Sequence, residues 1–102
     1  MNIQKGSSGG TSRTMTIHAS YKELVDALGY PEDLSGKTYK IDVQWDVRDA
    51  DTGRPLVVWN YKNGPNYCGE DGTPVTEITT WSADGDPSLA EELGLEVEEM
   101  EY

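Results

Sequence analysis

Between Thr38 and Arg48 the chain alternates without a break. Tyr39, Ile41, Val43, Trp45 and Val47 are apolar, and Lys40, Asp42, Gln44, Asp46 and Arg48 lie between them. Successive side chains of an extended strand point to opposite faces, so this run predicts a strand with one face in a core and the other in water. The register follows from charge. Turning Asp42 and Asp46 inward would strand carboxylates in an apolar interior, so Trp45 must face in and the acidic residues out.

The following segments supply partners for this strand. Asp49 to Arg54 carries an Asp-Thr-Gly turn signal, and Leu56 to Tyr61 (LVVWNY) is again β-rich, which predicts an antiparallel hairpin with a loop longer than two residues. Val75 to Ser82 (VTEITTWS) reads as a third strand. Between them, Lys62 to Pro74 holds Gly64, Pro65, Gly69 and Gly72, the composition of a long loop whose flanking tyrosines favour order.

Two helices bracket these strands. Ser20 and Glu23 form a capping-box pattern, and Tyr21, Leu24, Val25 and Leu28 follow at the spacing of one helical face. Gly29 and Pro31 stop that helix. Asp86 caps a shorter one, with Pro87 at its first position, Leu89 and Leu93 facing in, and Gly94 at its end. The expected fold is α+β: a small three-stranded antiparallel sheet, with an N-terminal helix and a short C-terminal helix packed on the face of Tyr39, Val43 and Trp45.

Residues 1–14 have a Gly/Ser-rich centre and almost no apolar side chain after Ile3, so they read as a disordered leader or linker. A single domain is expected over 15–102. Its acidic tail from Leu95 (LEVEEMEY) is compatible with an edge strand, an extra helical turn or a frayed end.

The chemistry is sparse. The chain has one histidine, His18, and one cysteine, Cys68, too few ligands for a zinc site and with no local signature of a Cys-His pair. Asp49, Asp51 and Gly53 resemble the opening of a calcium loop, but the glycine comes one place early and Pro55 stands where further ligands belong, so a hairpin turn is expected. Nucleotide-binding, serine-hydrolase and zinc-protease motifs are absent. No enzyme activity, cofactor or metal is expected. A lone cysteine with no apolar run of spanning length points to a reducing cytoplasm.

Nineteen acidic residues against eight basic ones give a net charge of −11. Such a balance repels nucleic-acid phosphates and anionic membranes and favours a basic protein partner. Asp42, Asp46, Glu96, Glu98 and Glu99 are the expected acidic surface. The densest recognition chemistry is Trp59, Asn60, Tyr61, Lys62, Asn66 and Tyr67, whose aromatic faces, amides and cation suit a partner or a small planar or sugar-like ligand. A homo-oligomer would enlarge such a site beyond what one small domain encloses.

The same segment carries a resemblance. Asn60, Tyr61, Lys62, Gly64, Asn66 and Tyr67, then Gly69, Glu70, Gly72, Pro74 and Val75, then Glu77, Ile78, Thr79 and Trp81 resemble a pattern shared by small bacteriophage-encoded proteins of uncharacterised function. The likeness extends over about Met15 to Trp81. Those proteins continue His-Ile-Gly-Gly, whereas this chain has Ser82, Ala83, Asp84 and Gly85, so any role of that histidine is missing here. The resemblance implies a phage or prophage origin, with action in a host cytoplasm, and brings no established activity; the acidic charge makes nucleic-acid mimicry against a defence or DNA-processing factor the leading expectation. Sequestration of a nucleotide or sugar is the alternative.

Overall fold

The structure, a computed structural model, describes residues 2–6, 13–34 and 40–99. It is an α+β fold built on one antiparallel sheet. The strands are β1 (Ile3–Lys5), β2 (Met15–His18), β3 (Glu32–Asp33), β4 (Val43–Asp49), β5 (Pro55–Trp59), β6 (Thr80–Gly85) and β7 (Glu96–Glu99). They lie in the order β1-β4-β5-β6-β2-β7, with β3 paired to the same outer edge of β4 as β1. Among the described residues, seven strands replace the three expected.

The helices α1 (Tyr21–Leu28) and α3 (Pro87–Glu92) form where the caps place them. The Ser20 hydroxyl accepts from the Glu23 amide at 3.1 Å, and the Glu23 carboxylate accepts from the Ser20 amide at 3.0 Å. Gly29 then turns the chain at φ 88°, a backbone angle that a side chain disfavours. Asp86 caps α3 by accepting from the Ser88 amide.

Both helices pack on the face predicted from the alternation. Leu24 and Leu28 of α1 and Leu89 and Ala90 of α3 join Met15, Ile17, Trp45, Leu56, Val58, Trp81 and Ala83 in one core. Trp45 and Trp81 meet edge to face, centroids 5.3 Å apart, and Tyr21 lies 5.8 Å from Trp45. The two indoles that meet in this core each find a backbone acceptor: Trp45 donates to the Gly29 carbonyl at 2.7 Å, Trp81 to that of Ala19 at 2.9 Å. Central β5 is buried on both faces, because Val57 and Trp59 point away from the core and are nonetheless covered.

Three local expectations change, and one left open is decided. Ile3–Lys5 pairs in register with Lys5 opposite Val47, so this part of the expected leader is a strand; Met1 and residues 7–12 lie outside the described residues. The alternating strand begins at Val43, because the backbone amides of Asp42 and Val43 are turned to the side chain of Asn60 and leave the ladder; Tyr39 lies outside the described residues. Val75–Glu77 is a 3-10 turn after Pro74, and the strand expected there starts at Thr80. The acidic tail forms β7 as an edge strand against β2.

The face opposite the helices is also less open than expected. Gln44 and Asp46 are half-buried, and Asp42 is buried.

Candidate functional site

The segment after β5 is an ordered loop built on a buried polar knot. Asn60 is 0 % exposed, and all its hydrogen-bonding capacity is directed inward. Its side-chain oxygen accepts from the amides of Asp42 at 2.9 Å and Val43 at 3.1 Å. Its amide nitrogen donates to the Asp42 carboxylate at 2.8 Å and to the Asn63 side chain at 3.2 Å. The other Asp42 oxygen accepts from the Asn66 backbone at 3.0 Å, and the Asn66 side chain donates to the Ile41 carbonyl at 3.1 Å. Buried polar groups that satisfy one another in this way specify a single loop conformation.

Gly64 is there because nothing larger fits. A Cβ at this position would stand 2.1 Å from the Asp42 carboxylate and 2.8 Å from the Asn60 amide. The chain then turns through the short helix α2 (Pro65–Cys68) and a 3-10 turn at Gly69–Asp71.

On this base the loop presents Tyr61 and Tyr67, 47 % and 45 % exposed, with the Lys62 ammonium between them. The ammonium lies 5.3 Å from one ring centre and 5.5 Å from the other, within the range at which a cation is drawn to an aromatic face. Lys62 holds φ 58°, unusual for a residue with a side chain, and its amide donates to the Lys40 carbonyl at 2.8 Å. The Cys68 thiol, half-buried, donates to the Lys62 carbonyl at 3.3 Å.

Of the six residues singled out in this segment, the structure therefore separates two roles. Tyr61, Lys62 and Tyr67 form an exposed knuckle. Trp59 and Asn60 are inside, and Asn66 is half-buried with its amide turned inward, so these three set the shape of the loop. A small ligand would meet the two tyrosine rings and the Lys62 ammonium there, without the Trp59 ring or the Asn60 side chain, which are buried.

The acidic surface divides likewise. Asp42, expected outside, belongs to the buried knot, because its carboxylate satisfies loop amides that would otherwise be orphaned. Asp46 is half-buried, and Glu96, Glu98 and Glu99 of β7 are exposed. The Glu98 carboxylate lies 2.9 Å from the His18 ring, which ties the one histidine to a strand neighbour.

The hairpin turn with calcium-loop character is closed by protein groups. Asp49 is buried and accepts from the Asp51 amide at 3.0 Å, the Thr52 hydroxyl at 2.9 Å and the Arg54 guanidinium at 3.2 Å. Arg54 also reaches Ser88 and Glu92, which ties the turn to α3. These oxygens have no need of a cation, and no group of three potential metal ligands occurs among the described residues. The Asp51 amide first, then Thr52 and Arg54, hold the Asp49 carboxyl below its usual range.

A depressed carboxyl pKa contributes stability that is present above the unfolded value, about 3.9, and is lost as pH falls through the folded value. Melting temperature followed by circular dichroism should therefore fall more steeply below about pH 4 in the parent than in Asp49→Asn. Parallel curves would mean that the Asp49 charge contributes nothing to folding.

Sequence reasoning missed Tyr30. It is 84 % exposed, directly after α1, between the stop signals Gly29 and Pro31. The available signal was a large aromatic at a helix exit, out of phase with both the helical and the strand patterns.

Among the described residues, no helix is long and apolar enough to cross a membrane. Compared with known protein families and with curated proteins, the sequence matches none.

Proposed function

We propose that this domain is a non-catalytic module that binds a basic protein through the Tyr61–Lys62–Tyr67 knuckle. The observation that supports this reading is two half-exposed tyrosines on a loop held by a buried polar knot. Tyrosine offers contact area at low entropic cost, and a loop already fixed before binding loses little freedom on association.

The charge of −11 selects the partner's sign. It favours proteins whose own surface is basic, among them those that handle nucleic acid, and it speeds their encounter. Mimicry of nucleic acid would then reside in the overall field and in the exposed carboxylates of β7, with the tyrosine knuckle giving specificity. Phage origin and a target in host defence or DNA processing remain what the resemblance implies.

The test is affinity capture with the full chain, comparing the parent with the double variant Tyr61→Ala, Tyr67→Ala. The double variant should keep its melting temperature and bind the captured partner more weakly by about 2–4 kcal/mol, the range of interface hot spots. Association with the parent should slow as salt rises. A partner held equally by parent and double variant, or held equally at low and high salt, would overturn the reading.

A further inference from the structure

The exposed knuckle already holds a cation, and the chain itself supplies it. The Lys62 ammonium lies 5.3 Å from the Tyr61 ring centre and 5.5 Å from that of Tyr67, so two half-exposed aromatic faces share one positive charge. The electron-rich face of a tyrosine attracts a cation at this range and repels an anion.

The backbone beneath that ammonium is held against its own preference. At φ 58°, Lys62 is the one non-glycine residue with a positive φ among the described residues. Its amide donates to the Lys40 carbonyl and its carbonyl accepts from the Cys68 thiol, and Asn60 and Asn63 on either side are bonded to each other at 3.2 Å. A glycine would adopt this angle without steric cost. Strain kept at a lysine whose charge lies against two rings points to a role for the side chain.

Local charge selects the sign of anything that takes the lysine's place. Over residues 60–74 the charged side chains are Lys62, Glu70 and Asp71, so the loop is net negative even with Lys62 counted, within a chain of net charge −11. A neutral ligand would expel the ammonium and leave the rings without a cation; an anion would meet both ring faces and both acids. A second cation exchanges like for like. Among protein side chains the arginine guanidinium is the best replacement, because it is planar, stacks on aromatic faces and is more weakly hydrated than an ammonium.

We propose that Tyr61 and Tyr67 clamp an arginine side chain of the basic partner, and that Lys62 is a resident competitor which the arginine displaces into water. This rests on the knuckle being the binding surface and names the group it receives. Like charges do not share the slot, so a lone arginine gains little by entering, whereas an arginine on a surface that makes further contacts expels the lysine. Lys62 thereby lowers affinity and raises selectivity.

The test is an NMR titration of the full chain with a Gly/Ser peptide carrying one arginine, read at the ring signals of Tyr61 and Tyr67. In Lys62→Gln both signals should shift saturably, with a midpoint about two- to fivefold lower than in the parent, the equivalent of one exposed cation–π contact. The same peptide with citrulline, the neutral isostere of arginine, should leave the signals in place. Lys22→Gln makes the same change in net charge at an exposed lysine on α1 and should leave the midpoint at the parent's value. No saturable shift in Lys62→Gln, an equal response to citrulline, or equal tightening by Lys22→Gln would each overturn the clamp. A partner whose capture needs Tyr61 and Tyr67, with no response to the arginine peptide, would remove the clamp and leave the knuckle; arginine bound as described, with capture indifferent to both tyrosines, would support the clamp and remove the knuckle as the protein-binding surface.

Discussion

Trp81→Ala is expected to lower the unfolding free energy by about 3–5 kcal/mol, the range for removing a buried aromatic. The side chain is 1 % exposed, meets Trp45 edge to face and gives its indole N–H to Ala19. The chain has no phenylalanine and only three tryptophans, so little else fills that volume. Domains of this size hold roughly 5–15 kcal/mol in total, and each kcal/mol moves Tm by about 4–8 °C. A drop of at least about 12 °C should follow in a calorimetric or circular-dichroism melt. Trp81→Phe separates packing from hydrogen bonding: it keeps a ring and orphans the Ala19 carbonyl, at about 1–3 kcal/mol. If Trp81→Ala cost less than about 1 kcal/mol, the joint between the helices and the sheet could not be where it is described.

Asn60→Ala is expected to cost nearly as much for a different reason. It removes little apolar volume, but it leaves the amides of Asp42 and Val43 and one Asp42 carboxylate oxygen without the partner they have. Buried groups so orphaned cost about 1–3 kcal/mol each, and about 3–5 kcal/mol is expected after local relaxation. Gly64→Ala attacks the same knot by steric overlap with Asp42, so the two changes together should cost clearly less than the sum of the two alone. Hydrogen exchange supplies the local readout. The amides of Asp42, Val43 and Asn66 should lose protection in either variant, with those of β2 and β6 changed only by the global loss of stability. Full additivity, or unchanged protection at Asn66, would show that the knot does not hold the loop.

The features legible in the sequence were those carried by local chemistry. Ser20, Glu23 and Gly29 bound α1 because a cap needs only its neighbours, and the inward face of Trp45 followed from a charge argument that any sheet must obey. β1 and β2 are not legible in this way, and β7 only as one of three readings of the tail. IQK, MTIH and EVEE are too short and too polar to declare a strand, and they become strands by pairing with residues far along the chain.

The site divided the same way. Composition identified the Trp59 to Tyr67 segment, but which side chains face water depends on Asp42, eighteen positions before Asn60, and no local pattern announces that contact. Tyr30 is not legible because the cleft it lines forms only when β1, β3 and β4 are brought together.

The position of β2 bears on how the domain is made. Met15 and Ile17 sit between β6 and β7, opposite Ala83 and Trp81 on one side and Glu99 and Val97 on the other. During synthesis β2 leaves the ribosome before either partner, which follow some 65–80 residues later, a delay of roughly 3–16 s at ~5–20 residues per second. The β4–β5 hairpin and its β1 edge have all their parts well before then. One half of the sheet is therefore able to zip while the apolar side of β2 waits in solvent. Until β6 emerges, the nascent chain carries an unpaired core strand that a chaperone or a second chain has time to find.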